Sequence, residues 1–402
     1  MSRGITEFQP ERLSQILSAR RLSQVQLATM VGISPATVSK WRSGVQAPES
    51  DALERLAQVV NVSPEWFTRP TLSIGSTPLF RSNASAHVAA RQMLEARLEW
   101  AQDVTYSLSE FVDFPALNLP ERAFVDPEQI SNADIELAAA ECRKIWNLGR
   151  QAIPDLALAV ENAGIILVRE ETGIAPIEGL SAWSTALSRP IILLSADKGN
   201  AFRSRFDLAH ELGHLVLHKH IPRATERDRH NQMEKQAHRF AGAFLLPAEG
   251  FANDIRTPIS LDSLLLLKQR WGVSVAAIIM RLNALGLIDE EAKLSLFKRR
   301  SARWGAKSEP GDEARNPECP RLLRRTVELL VSSGTMPLNG VARHIGLSAR
   351  DIEMIAGLPA YYLDGAAEVH DLAKLRSTLA KFGGDTSPSG DSKILPFGRR
   401  GN

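Results

Sequence analysis

Apolar positions recur at helical spacing along most of the chain. Leu13, Ile16 and Leu17 mark one stripe, and Val25, Leu27, Ala28 and Val31 mark a second, shorter one, as a helix with one buried face requires. This pattern predicts a helical segment over residues 9–69. Residues 70–84, "PTLSIGSTPLFRSNA", have no period and read as a linker. Residues 85–112 predict one long helix, stopped by "FPALNLP". "DIELAAAECRKIWNLG" and "DLALAVENAG" predict two more helices, while "IILVRE" and "PIILLS" predict short buried strands. Pro190 opens the second strand, where a missing N–H is tolerated. Helices follow at about 202–219 and 230–246, and helical spacing continues to about residue 288. Residues 298–320 are basic, then rich in Pro and Gly, and predict a boundary. Residues 321–382 return to helical spacing, and the tail from Gly383 reads as disordered. No internal repeat is visible.

The expected fold is mainly α with a small β component. It divides into an all-α domain at 1–69, a linker and long helix at 70–130, an α+β domain at 131–297, a helical domain at 298–382 and a disordered tail at 383–402. A chain of 402 residues exceeds one ordinary core, which agrees with several domains.

The front end carries its own chemistry. Gly32 permits a tight turn, Ser34 suits an N-cap and Pro35 a first helical position. Val38 and Trp41 turn inward, which leaves Ala36, Thr37, Ser39, Lys40 and Ser43 outward and Arg42 at the flank. Small polar residues with one or two cations suit base edges and phosphates. The stretch resembles the Xre/Cro-type helix–turn–helix over about 60 residues. The resemblance implies DNA contact by Gln24, Ser34, Ala36, Thr37, Ser39, Lys40 and Arg42, and self-association into a homodimer, since such modules usually bind paired half-sites. A plain small helical bundle, or a protein-binding one, is the competing reading.

Charge narrows the picture. The formal net charge is +2, so any DNA contact comes from a local surface. Two cysteines far apart, Cys142 and Cys319, make no disulfide framework and fit a reducing cytoplasm. The first residues lack the apolar core of a signal peptide, and runs such as "LLLL" and "VAAIIM" are too short for a bilayer. A cytoplasmic protein with no membrane partner is expected.

The central stretch is "RFDLAHELGHLVLH". His210 and His214 lie four apart, so on a helix they share one face and can reach one Zn²⁺. Glu211 projects beside that face, where it can take a proton from the attacking water. The pentapeptide "HELGH" alone also arises on any histidine-rich amphipathic helix. A third ligand must come from elsewhere, and Glu234 follows His214 by 20 residues on the next helix, "NQMEKQAHRFAGAFLLP". That spacing allows a turn and an antiparallel return. Two His and one Glu with a fourth position open to water make a catalytic rather than structural zinc site; otherwise Glu234 is a solvated acid. His218 and His238 are candidates for supporting a ligand or an oxyanion, or are hydrogen-bonded flank residues. Asp207 can orient a ligand imidazole only if it lies on the metal face. His220 and His230 fall in or near a polar connection and read as solvated.

"RFDLAHELGHLVLH" followed by "EKQAHRFAGAFLLP" resembles the ImmA/IrrE metallo-endopeptidases, which are gluzincin-like proteases. "FPALNLP", "PIILLS" and "AAIIMRLNALGLI" also fit, and the resemblance covers roughly residues 85–360. With the front end, the chain resembles the subgroup that joins an Xre-type regulator to the peptidase. The resemblance implies a zincin-like fold, Zn²⁺ bound by His210, His214 and Glu234, and Glu211 as general base. It also implies a protein substrate, a helix–turn–helix repressor in a stress or mobile-element circuit. The position after Ala237 is often Asn in that family and is His238 here.

Residues 338–355, "LNGVARHIGLSARDIEMI", repeat a turn-like pattern around Gly346. Acids at Asp351 and Glu353 favour a packing or partner-binding role over DNA contact. The run Lys298, Arg299, Arg300 and Arg303 reads as a solvated linker. Two functions remain in view: a DNA-binding regulator with a zinc endopeptidase, and an antitoxin-type DNA-binding regulator whose zinc domain senses or scaffolds.

Overall fold

Serine caps open the second and third of the four N-terminal helices, the third at Ser34 as expected. The helices are α1 (Pro10–Arg20), α2 (Gln24–Val31), α3 (Pro35–Arg42) and α4 (Ser50–Val60), closed by a 3-10 turn at Pro64–Thr68. Ser23 and Gln26 form a reciprocal capping box on α2. The Ser34 hydroxyl accepts from Thr37 N at 3.1 Å at the start of α3. Gly32 holds φ +76° between α2 and α3, a left-handed conformation that favours glycine. Val38 and Trp41 are buried and fix α3 to α1 and α2.

The computed structural model describes residues 4–74, 88–173, 178–197, 199–222, 227–305 and 308–365. Most of the expected 70–84 linker and the whole 383–402 tail lie outside the described residues.

The remaining elements are α5 (Val88–Ser109), α6 (Asn132–Ile145), α7 (Leu156–Asn162), β1 (Ile166–Glu170), β2 (Gly179–Ser184), β3 (Arg189–Ser195), α8 (Ala201–Leu217) and α9 (Arg227–Leu245). They continue as α10 (Ala248–Ala252), α11 (Leu261–Trp271), α12 (Val275–Ala284), α13 (Glu290–Trp304), α14 (Leu322–Ser332), α15 (Leu338–Ile345) and α16 (Ala349–Ala356). The small sheet has the order β1-β3-β2, with β1 parallel and β2 antiparallel to β3. Strand β2 was not expected. It alternates Leu180 and Ala182 on one face with Gly179, Ser181 and Trp183 on the other, so it lacks the apolar run that marks β1 and β3.

The sheet is buried on both faces, which is why β1 and β3 read as nearly continuous apolar runs. Ile166, Val168, Leu180, Ala182, Ile191 and Leu193 share a core with α1–α5 and α14–α16. Leu167, Ile192 and Leu194 share a second core with α6–α9 and α11–α13. The segment after the 3-10 turn reaches β2 through a single antiparallel bridge, Ile74 to Ser184.

Ion pairs cross the first core. Arg97 on α5 bonds Glu170 of β1 at 2.7 and 2.9 Å and Asp351 of α16 at 3.0 Å. Asp351 also accepts from Arg20 of α1 at 2.9 Å. Arg12 of α1 pairs with Asp103 of α5. The N-terminal helices are therefore fastened to α5 and α16 rather than tethered by chain alone.

The end of the predicted boundary is fastened in the same way. Residues 298–304 are the last turns of α13, and Arg300 is buried against Glu309 instead of solvated. The Glu309 carboxylate accepts from Val275 N and Ala276 N at the start of α12 and pairs with Lys268. Glu318 does the same for Leu156 N and Ala157 N at the start of α7, and pairs with Arg205. A carboxylate at a helix N-terminus satisfies donors that have no partner within the helix. The helix-breaking composition of this stretch hides that fastening, because the partners are distant in sequence. In α15 and α16 the turn-like pattern does form two helices, but Asp351, Ile352, Glu353, Ile355 and Ala356 are buried, so the second helix packs inward.

Candidate metal centre

Helix α8 brings the histidines together and α9 returns a carboxylate to them. Leu208, Ala209, Leu212, Leu215 and Val216 anchor α8 in the second core. Phe206 and His210 meet His238, while His214 meets Glu234, so α9 runs antiparallel to α8. Gly213 sits at the crossing: a Cβ there would lie 3.1 Å from the Phe240 side chain and 3.2 Å from Ala237 Cα. The small residue lets the two helices approach at the level of the site.

His210 Nε2 and His214 Nε2 are 3.0 Å apart. Glu234 places Oε2 3.3 Å from His210 Nε2 and Oε1 3.2 Å from His214 Nε2. Both imidazoles are almost wholly buried, at 4% and 3% exposure. The two Glu234 oxygens are buried at these distances without a hydrogen bond of good geometry. Tetrahedral ligand atoms at about 2.0–2.1 Å from a zinc ion lie roughly 3.3 Å from one another. Two imidazole nitrogens and a carboxylate at this spacing fit a metal ion, and the three form the one such group among the described residues.

The electrostatics suit a metal at His210 and Glu234, while His214 would release a proton on binding one. Burial pushes the His210 imidazole down to about 3, with Glu234 opposing and His214 adding to the fall. Burial alone would raise the Glu234 carboxyl, but the two facing imidazoles outweigh it and hold the group well below the usual carboxylate range. Burial also acts against a charged His214, yet Glu234 and Glu211 together leave its pKa raised. An ionised carboxylate beside a neutral His210 is the state a metal needs.

Glu211 is buried on the β2 side of α8, and its Oε2 accepts from the Ser181 hydroxyl at 2.7 Å. A Cβ at Gly179 would lie 3.4 Å from Glu211 Cγ, so β2 passes close to this carboxylate. Ser181 was missed because β2 itself was missed. The signal was the two-residue alternation of "GLSAWS".

The other candidates separate. His218 Nδ1 lies 2.9 Å from His214 Nδ1, and its Nε2 lies 3.1 Å from Gln236 Oε1. Burial, with His214 adding to it, pushes the His218 pKa well down. His238 is half-buried, its Nδ1 donates to Glu234 O at 3.0 Å, and its ring stands edge-on to His210 at 4.5 Å. Asp207 does not orient His210. It faces a surface hollow with Arg169 and Arg203, and His210 Nδ1 has no hydrogen-bond partner. His220 is exposed as expected, but His230 is buried.

In the N-terminal layer, Ser34, Ala36, Ser39, Lys40 and Arg42 are exposed on α3, while Thr37 and Gln24 are half-buried. The family model described as helix-turn-helix matches residues 3–67, and the one described as IrrE N-terminal-like domain, of the M78 peptidases, matches residues 160–283.

The chain joins a helix–turn–helix domain to an IrrE-like peptidase-family domain.

No curated protein matches the chain. The IrrE-like match takes in β1–β3, α8 and α9, and so includes His210, Glu211, His214 and Glu234. Helices α5, α6 and α13–α16 lie outside both matches, although α5 and α16 join the helix–turn–helix domain to the sheet of the IrrE-like domain. The mainly α fold with a small sheet is as expected. Among the described residues, no single helix is long and apolar enough to cross a membrane.

Proposed function

We propose that this chain is a DNA-binding transcriptional regulator whose IrrE-like domain is a zinc-dependent endopeptidase acting on a helix–turn–helix repressor, in a stress or mobile-element circuit of the cytoplasm. The observation that carries the reading is the convergence of Glu234 on His210 and His214 beside a buried Glu211. His210, His214 and Glu234 would hold the zinc. When bound, zinc supplies the Lewis acidity that polarises a peptide carbonyl and makes water a nucleophile near neutral pH. Glu211 takes the proton of the attacking water and passes it to the leaving amine. Ser181 fixes one oxygen of that carboxylate and so sets its orientation. His238 borders the site beside His210.

Ser181→Ala should lower cleavage by roughly ten- to a hundredfold, the value of about 1.5–3 kcal/mol for a hydrogen bond to a charged group. Bound metal should be unchanged, which metal analysis alongside the rate measurement checks.

On DNA, α3 would present Ser34, Ala36, Thr37, Ser39, Lys40 and Arg42, with Gln24 from the start of α2. A homodimer would place two such helices on half-sites about 34 Å apart. Lys40→Ala should weaken binding to all sequences alike and reduce the salt slope of log K by about one. Titrations at several salt concentrations read this directly.

The reading is tested by incubating the full chain with the helix–turn–helix regulator encoded beside it, with and without chelator, and weighing the fragments. Discrete fragments that vanish with chelator are expected. Identical products with chelator would refute a metal-dependent peptidase. A second reading, an antitoxin-type regulator whose zinc domain senses or scaffolds, draws on the shared core: Arg97 ties β1 to α16, and α16 to the helix–turn–helix domain through Arg20. An uncut regulator with zinc bound would favour it.

A further inference from the structure

His214 is held by two side chains that do not face the metal position. Its Nδ1 lies 2.9 Å from His218 Nδ1, and His218 Nε2 lies 3.1 Å from Gln236 Oε1. The Gln236 amide nitrogen in turn reaches Pro127 O at 2.7 Å and Ile130 O at 3.3 Å. All three side chains are buried, and His218 and Gln236 are 2% and 6% exposed.

The direction of each bond follows from its far end. Backbone carbonyls only accept, so the Gln236 –NH₂ must face Pro127 and Ile130. Its Oε1 therefore faces His218, and His218 must donate from Nε2. A neutral His218 then carries its lone pair on Nδ1 and accepts from His214 Nδ1–H. That leaves the His214 lone pair on Nε2, the atom that faces Glu234 and His210. The opposite tautomer of His214 would bring two lone pairs together at 2.9 Å.

We propose that His218 and Gln236 are positioning residues that lock His214 in its metal-binding tautomer, with the 3-10 turn at Pro127–Gln129 as the fixed end of the relay. The proposal rests on the metal reading above. Metal-ligating histidines usually donate their other N–H directly to a carboxylate, a carbonyl or water, and removing such a partner costs about 10–100-fold in affinity. Here the carbonyl is reached through two intervening side chains. His210 has no such support, since its Nδ1 lacks a partner. Among the described residues the relay therefore acts on His214 alone of the two imidazoles.

The test is Zn²⁺ affinity of the full chain, measured by competition with a chromophoric chelator. The variants are His218→Leu, His218→Asn, Gln236→Met and the double variant His218→Leu/Gln236→Met, with Glu234→Ala as reference. His218→Leu should bind Zn²⁺ about 10–100-fold more weakly than wild type. His218→Asn, whose amide oxygen can accept from His214 Nδ1–H, should recover most of the loss. Gln236→Met, close in volume, should weaken binding in the same direction. The double variant should be no worse than His218→Leu alone, because a relay is broken once. Wild-type affinity in His218→Leu, or additive losses in the double variant, would overturn the relay while a defect in Glu234→Ala still upheld the metal site. Equal binding by wild type and Glu234→Ala would instead remove the metal reading itself, and this proposal with it.

Discussion

Glu211→Gln is expected to cut cleavage of the repressor by about 10²–10⁴-fold, the usual contribution of a general base. The amide keeps the shape of the carboxylate and can still accept from Ser181, which lies 2.7 Å from Oε2. It cannot take a proton from water. The metal ligands are untouched, so bound zinc and unfolding temperature should match wild type. That combination separates loss of chemistry from loss of the site, whereas Glu234→Ala should lose both. Rate measurement with parallel metal analysis checks the prediction. Equal rates for wild type and Glu211→Gln would mean that any cleavage arises elsewhere.

Asp351→Ala should cost about 3–5 kcal/mol, the range for removing one partner of a buried ion pair. Asp351 is 1% exposed and accepts from both Arg20 and Arg97. Its loss leaves Arg97 with Glu170 alone and removes the Arg20 ion pair between α1 and α16. The pH dependence has a definite sign. Burial would raise the Asp351 carboxyl, but Arg20, Ser348 and Arg97 outweigh it and hold the group below its ordinary value. A depressed carboxyl contributes stability that is fully present above the unfolded pKa of about 3.9 and is lost as pH falls through the folded value. Wild type should therefore lose stability on acidification through this window faster than Asp351→Ala. Urea unfolding of both proteins at neutral pH and near pH 3.5 reads the effect.

The metal centre was legible in proportion to how local its pattern is. His210, Glu211 and His214 sit within five consecutive residues, and helical geometry alone puts the histidines on one face. Glu234 needed one further step, an antiparallel return that α9 makes. Ser181 and Gln236 were out of reach because each acts through contacts distant in sequence, Ser181 from an edge strand with no apolar run and Gln236 through carbonyls at Pro127 and Ile130. The cap of α3 was plain, since Ser34 bonds within three residues. The fastening of residues 298–320 was not, because Glu309 and Glu318 look like solvated acids until the ends of α12 and α7 are placed beside them. For α16, periodicity marked a helix but could not tell which surface would cover it. Strand β1 and helices α14 and α5 do so.

The most direct test of the whole reading strips the full chain of metal and restores zinc in increments, following repressor cleavage against zinc bound. The account predicts no cleavage without metal and a rise that saturates at a single equivalent per chain, the capacity of the His210, His214 and Glu234 group. Full cleavage by the stripped chain, or cleavage that rises without regard to bound zinc, would contradict it.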